Sequence, residues 1–472
     1  MADGSDSTGF VDITEVLRRQ LSRRRFIGAA GMVGASFALG GILEACAPNS
    51  GASSGGGTLR VLETADEPFG TAMKSLMAPA YKKAAGVDLN VELVAYGNLE
   101  QKVVTSLSSG ADTYDIVTID QAWIGSVIDF HGKSTLVTSI ADMKANNPSL
   151  PDIQFSTVTP GALKLAADIK GKQYGIPRYL STMVIAYRKD LFTKWGLQPP
   201  GNWDEYFALL PQLQDHIKSD GLKGVYPTCM LQGAQDPGYS EWVGHLLGYG
   251  PNASGNQFIL DLNGTPVFNA NGNGLKAMAD VQKVLPYSPP GTLSYDYPEG
   301  TQLYQAGNAA MLWTWVDAMG DNENPKASKI VGQSGYLATP GMAGGQQVSP
   351  VGGLILLINK NSKNQEAAYK FFAWVMSGAG YDLAVQGGEA AMTRVSYFND
   401  PTFIQSHPSY QAFKSVKDTA YLPAWFTTFT EIQRSIWTEV ASALAKKKSN
   451  DQAMKDAESN VRSIQQKAGY LS

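Results

Sequence analysis

Three short stretches of this chain carry side chains with binding chemistry. Asp66 and Glu67 follow the apolar run Thr58–Leu62. Asp120, Gln121 and Trp123 close the run that begins at Asp115, and Trp313 and Trp315 stand two apart in a third. Carboxylates and a carboxamide exchange hydrogen bonds with hydroxyl groups, while flat indole rings cover apolar C–H faces. Together they suit a polyhydroxylated small molecule. Asp120 is also placed to cap a helix beginning near Ala122. Residues two apart on a strand face one side, so Trp313 and Trp315 are expected to line one surface.

Residues arranged for catalysis are hard to find. His131, His216, His245 and His407 are isolated, with no His/Cys/carboxylate spacing suited to zinc. His245 lies in an apolar helix and reads as a packing residue. Gly51-Ala52-Ser53-Ser54-Gly55 spells a nucleophile-elbow pattern, but in a Gly/Ser-rich tether with no strand or helix around it. Gly132-Lys133-Ser134 lacks the upstream glycine of a phosphate loop, since Val127 occupies that place. Asn269 to Gly274 loosely mimics a calcium loop, with amides where carboxylates belong, and reads as a turn before a helix. No cofactor and no metal are expected.

The elements that must position the binding residues alternate. Thr58–Leu62, Val87–Val94 and Asp115–Asp120 read as strands, with helices over Phe69–Ala85 and Leu99–Ser109 between them. A second α/β set starts at Met183. It has helices at Asp204–Lys218, Gly274–Leu285 and Pro298–Gln305, then a buried strand at Gly353–Ile358 and a helix at Asn364–Met376. Ile432, Ile436, Val440 and Leu444 repeat every four residues in a final helix, with Lys446–Lys448 at its end, where the helix dipole favours cations. Such alternation predicts mostly parallel sheets covered on both faces. The cleft of an open α/β sheet lies beyond the carboxyl ends of its strands, where Asp66, Glu67, Asp120, Gln121 and Trp123 fall.

The first 57 residues read as an address. Ser22-Arg23-Arg24-Arg25-Phe26-Ile27 sets paired arginines before Ile27–Leu43, which carries no charge and contains five glycines. This is an export signal of the twin-arginine type. At 1.5 Å per residue these 17 residues would span only about 26 Å, short of a ~30 Å bilayer core. Leu43-Glu44-Ala45-Cys46 resembles a lipobox, with Glu44 where a small or apolar residue is usual. Acylation of Cys46 ahead of a Gly/Ser tether would hold a folded body near a membrane. Cys229 is the one other cysteine, so stability must come from a packed core. After residue 45 the chain keeps 33 basic and 37 acidic residues, too balanced for nucleic acid. Its length calls for two lobes.

Four segments in order resemble the family 1 extracellular solute-binding proteins of ABC importers, the group of maltose- and polyol-binding proteins. They are Tyr114-Asp115-Ile116-Val117 with Asp120 and Trp123; Gly171-Lys172-Gln173-Tyr174-Gly175-Ile176-Pro177 with Tyr187–Phe192 and Trp203; Gln305–Met311 with Trp313 and Trp315; and Gly352-Gly353 with Ser362–Ala368 and Trp374. Met392-Thr393-Arg394 departs from a usual proline before the arginine. The resemblance implies an α/β fold of two lobes, periplasmic-binding-protein-like of the class II type, closing on a ligand in a cleft between them. It implies a tether at 46–57, an N-terminal lobe of 58–178 plus 311–355 and a C-terminal lobe of 179–310 plus 356–472. Hinge crossings would fall near Pro177–Thr182, Ala309–Trp313 and Gly353–Ile358. It adds Arg178, Tyr179, Tyr239, Trp242, Gly353, Arg394 and Trp425 to the ligand-binding candidates, with arginines balancing the carboxylates of the site. The expected partners are a small neutral carbohydrate or polyol and the ABC permease subunits. The protein would be a lipid-anchored monomer at the outer face of the cytoplasmic membrane or in the periplasm, binding no nucleic acid and catalysing nothing. An exported α/β enzyme acting on carbohydrate, or a surface receptor or adhesion protein, are the alternatives.

Overall fold

The structure is a computed structural model that describes residues 57–128, 135–168, 170–233, 236–253, 257–345, 347–388, 393–416 and 426–472. The export signal, Cys46, nearly all of the tether, the Gly132-Lys133-Ser134 motif and Trp425 lie outside them. In chain order the strands are β1 (Thr58–Thr64), β2 (Asp88–Val94), β3 (Ile116–Asp120), β4 (Val137–Thr138), β5 (Gly175–Pro177), β6 (Ser181–Arg188), β7 (Tyr226–Cys229), β8 (Ala309–Trp315), β9 (Ser334–Ala338), β10 (Val351–Gly352) and β11 (Leu354–Asn359).

They form two sheets. The first runs β2-β1-β3-β11, with β4 and β5 sharing the outer edge of β11. Its β1, β2 and β3 are parallel, as the alternation predicts, but β11 returns from more than 200 residues away and inserts antiparallel, Leu354 opposite Asp120. The second sheet sets β9 and β10 on one edge of β6, then β8 and β7. Only its β7–β8 pair is parallel. Both sheets are therefore mixed rather than mostly parallel.

This topology corrects the lobe boundaries. β8 is not a crossing into the first lobe: its antiparallel register with β6, Met183 opposite Trp315, keeps it in the second sheet. Conversely β11, from Leu354 on, belongs to the first sheet. The chain crosses between β5 and β6 at Arg178–Leu180, and again at Gly353 between β10 and β11. Gly353 sits at φ +154°, and a Cβ there would come 2.4 Å from the carbonyl oxygen of Tyr179, so the two crossings pass too close for a side chain.

Each sheet anchors a core. Val61, Ile116, Val117, Ile119 and Leu354–Ile358 are buried in the first, together with Met73, Phe371 and Phe372 from helices. The second holds Ile185, Met311, Trp203, Trp242 and Trp313, packed against Ile432, Ile436 and Val440 of the helix Phe429–Leu444. The helix Asp236–Gly248 is buried on every side beyond its first residue, which explains its apolar reading. Within it His245 packs on Trp203 and Trp313. Burial pushes its imidazole down to about 4, so it stays neutral there. Among the described residues no helix is long and apolar enough to cross a membrane.

Candidate functional site

The carboxyl ends of β1, β3 and β8 and the amino ends of β6 and β11 converge on one cavity of about 720 Å³. The first sheet supplies Asp66 and Glu67 after β1, Tyr96 and Glu100 after β2, and Asp120, Gln121 and Trp123 after β3. The second side supplies Asp236, Tyr239 and Ser240 from the helix Asp236–Gly248, and Asp296 and Tyr297 from the start of the helix Tyr297–Gln305. Trp315 and Asp317 follow at the end of β8. Tyr179, Ser181 and Val351–Gly353 form the floor at the two crossings, and Thr430 and Gln433 of the helix Phe429–Leu444 close the rim.

Each wall carries one tyrosine–aspartate pair. On the first, the Tyr96 hydroxyl donates to Asp120 Oδ2 at 2.9 Å, and its backbone N–H donates to Asp66 at 2.6 Å. The other Asp120 oxygen accepts the Ala122 N–H at 2.8 Å, so this residue caps the short turn and faces the cavity at once. The Tyr96 ring packs on Trp123, centroids 4.9 Å apart. Across the cavity the Tyr297 hydroxyl donates to Asp236, and its ring meets Trp315 edge-on at 6.5 Å. Burial, joined by the field of Asp236 and opposed by the Ala122 N–H, pushes Asp120 up to about 7. Asp236 is raised by burial and the nearby Asp296, against the Tyr297 bond. The Thr430 hydroxyl reaches Glu100 at 3.0 Å and links the walls.

Nine of the expected residues line this cavity: Asp66, Glu67, Asp120, Gln121, Trp123, Tyr179, Tyr239, Trp315 and Gly353. Four do not. The Arg178 side chain is fully buried behind the wall, its guanidinium held by Glu63 at 2.6 Å and by Glu67 and set 4.8 Å over the Phe69 ring. It holds Glu67 in place instead of facing the cavity. Trp242 is fully buried, donating to the Gly274 carbonyl at 3.1 Å with its ring edge-on to Phe268. Trp313 shares a strand face with Trp315 but lies one pleat deeper, beneath Gly244 and 4.9 Å from Trp203, its N–H on Thr339. Arg394 bridges to Val158 and donates to the Met376 carbonyl at 3.3 Å. With both arginines away from the wall, the expected balance of charge is absent. Seven carboxylates line the cavity, and no Lys, Arg or His does among the described residues.

Sequence reasoning missed Tyr96, Glu100, Asp236, Asp296, Tyr297 and Asp317. Tyr96 and Asp317 each lie two residues beyond a strand, so the strand-end rule extended to β2 and β8 would have found them. Asp236 and Asp296 sit at helix starts and look like caps. Asp296 does close a capping box with Glu299.

Residues 65–381 match the bacterial extracellular solute-binding protein family. The chain belongs to that family. A probable amino-acid ABC transporter periplasmic-binding protein of Sinorhizobium fredii is 26% identical over 463 residues, covering 96% of this chain and 100% of its own. The erythritol/L-threitol-binding protein of Mycolicibacterium smegmatis is 25% identical, covering 82% of this solute-binding protein and 84% of its own chain. A solved ABC transporter solute-binding protein from Agrobacterium radiobacter, in complex with ribitol, shares the fold. Its TM-score is 0.73 at 24% identity, with 86% of this chain and 98% of that one covered.

Proposed function

We propose that this solute-binding protein captures a sugar or polyol in the cavity between its two sheets and delivers it to the permease of an ABC importer. The observation that carries the reading is the composition of the two walls. Trp123 and Trp315 bring indoles to the cavity from opposite sides, and the seven carboxylates among the lining groups accept hydrogen bonds from hydroxyls. The likeness to an erythritol/L-threitol-binding protein supports a polyol. An amino acid, suggested by the name of the Sinorhizobium relative, is disfavoured, because its α-carboxylate would enter a cavity lined by seven carboxylates without a cationic side chain. Closure of the lobes on the solute would signal the loaded state, driven by the solute's preference for the closed form.

A thermal-shift screen of sugars, polyols and amino acids tests the reading. A ligand at 100 times its Kd stabilises by about 2.7 kcal/mol, an easily seen shift. No shift with any sugar or polyol would sink it. We further propose that the protein leaves the cytoplasm by the twin-arginine route and is held at the membrane by acyl chains on Cys46. Cys46→Ser should then release the body from membranes with its ligand affinity intact. A variant that still sediments with membranes would refute the anchor.

A further inference from the structure

The charge of the cavity asks more of its solute than hydroxyl groups. Of the seven lining carboxylates, Glu67 is in contact with the buried Arg178, Asp317 also feels Arg178 and Glu100 feels Arg434, which leaves Asp66, Asp120, Asp236 and Asp296 without a cationic partner among the described residues. Asp120 and Asp236 come from opposite walls and lie within electrostatic reach of each other. A neutral solute would leave this pair, wherever both are ionised, facing one another as the lobes exclude water. A second observation concerns hydrogen bonding. Gln121, 2% exposed and on the cavity wall, has its Oε1 without a hydrogen-bond partner. The open polar position is thus an acceptor, in a cavity already rich in acceptors. Aromatic faces complete the setting, since Trp123 and Trp315 attract cations through their ring quadrupoles. No group of His, Cys, Asp and Glu among the described residues converges as a metal ion requires.

We infer that the preferred solute is a polyhydroxylated molecule carrying a protonated amine, an amino sugar or aminated polyol, with its ammonium between Asp120 and Asp236. An ammonium brings three donors and no acceptor, which matches the walls better than a hydroxyl that must also be donated to. This inference rests on the reading that the cavity holds the transported solute, and it names the class. The groups facing Asp120 are the Tyr96 hydroxyl, the Ala122 N–H, Glu100 and Asp236. Those facing Asp236 are the Tyr297 hydroxyl, Ser240 and Asp296.

The test is calorimetric titration with matched pairs at pH 7, where the amino sugars are mostly protonated: D-glucosamine against D-glucose, D-galactosamine against D-galactose, and 1-amino-1-deoxy-D-sorbitol against D-sorbitol. In at least one pair the amine should bind ten times tighter or more. That advantage should fall below about threefold in Asp120→Asn and in Asp236→Asn, because asparagine keeps the size and, at 120, the cap while removing the charge. Affinity for 1-amino-1-deoxy-D-sorbitol, whose alkylammonium stays protonated throughout, should also rise from pH 5 to pH 8, as Asp120 gives up its proton. A hydroxyl partner that binds as well as or better than the amine in every pair that binds overturns the inference and leaves the sugar-or-polyol reading standing. An amine preference that survives both asparagine variants overturns it too. If neither these probes nor the wider screen of sugars and polyols binds, the underlying reading falls and the inference with it.

Discussion

The two walls of the cavity reach a similar chemistry by different routes. On the first, Asp120 and Trp123 stand where a parallel strand ends and the chain turns, so backbone geometry alone directs them outward. On the second, Asp236 and Tyr297 sit at the starts of helices that the surrounding core must place. Yet each wall ends with a tyrosine hydroxyl on an aspartate and an indole beside the pair. Residues at strand ends announce a site in the sequence, whereas residues at helix starts pass for caps.

The strongest test of the second wall separates Trp313 from Trp315, two residues apart on one strand. Trp313→Ala empties a core position against Trp203 and Gly244 and should cost about 3–5 kcal/mol of stability. Trp315→Ala should leave the fold intact and weaken ligand binding at least tenfold, about 1.4 kcal/mol. Chemical denaturation and titration of both variants would measure this, and equal stability losses would erase the distinction drawn between core and cavity. Next in size is the first wall, where Asp120→Ala should also weaken binding of the ligand by at least tenfold. If Asp120→Ala and Trp315→Ala both bind like the parent, the cavity is not the site.

The smallest effect compares pH. The Asp120 carboxyl, raised to about 7 in the fold, ionises near pH 4 once unfolded. It therefore supports the fold below pH 4, and that support is lost as pH rises toward 7, because the unfolded chain sheds the proton first. The partial exposure of Asp120 screens the effect to ~1–2 kcal/mol. For a body of this size that is a shift of only ~1–2 °C. Asp120→Asn should lack this component, so its Tm should gain on the parent's between pH 4.5 and 7.5. Parallel profiles would mean that Asp120 keeps an ordinary carboxylate pKa.

Much of the fold was legible because it depends on local patterns. The apolar runs at Asp115–Asp120 and Gly353–Ile358 and the four-residue repeat from Ile432 to Leu444 need only their neighbours to be read. The final helix Asn450–Lys467 escaped notice, being polar apart from a narrow stripe at Ala453, Met454, Ala457, Val461 and Ile464. Arg178 was misjudged for another reason. It follows a strand as a binding residue would, but Glu63, 115 residues earlier, draws its guanidinium back into the core.

By itself the sequence determined the α/β alternation, the supply of indoles and carboxylates at strand ends, and the poverty of metal-binding spacings. Each is a property of composition or of neighbours within a few residues. Only the tertiary structure decided which sheet received β8 and which received β11, that Trp315 faces the cavity while Trp313 fills a core, and that the arginines stand off the wall and leave it acidic. Those outcomes rest on strand pairings and ion pairs between residues a hundred or more positions apart, such as Met183 with Trp315 and Asp120 with Leu354. No local periodicity encodes a register of that span, because it is set by how whole layers pack.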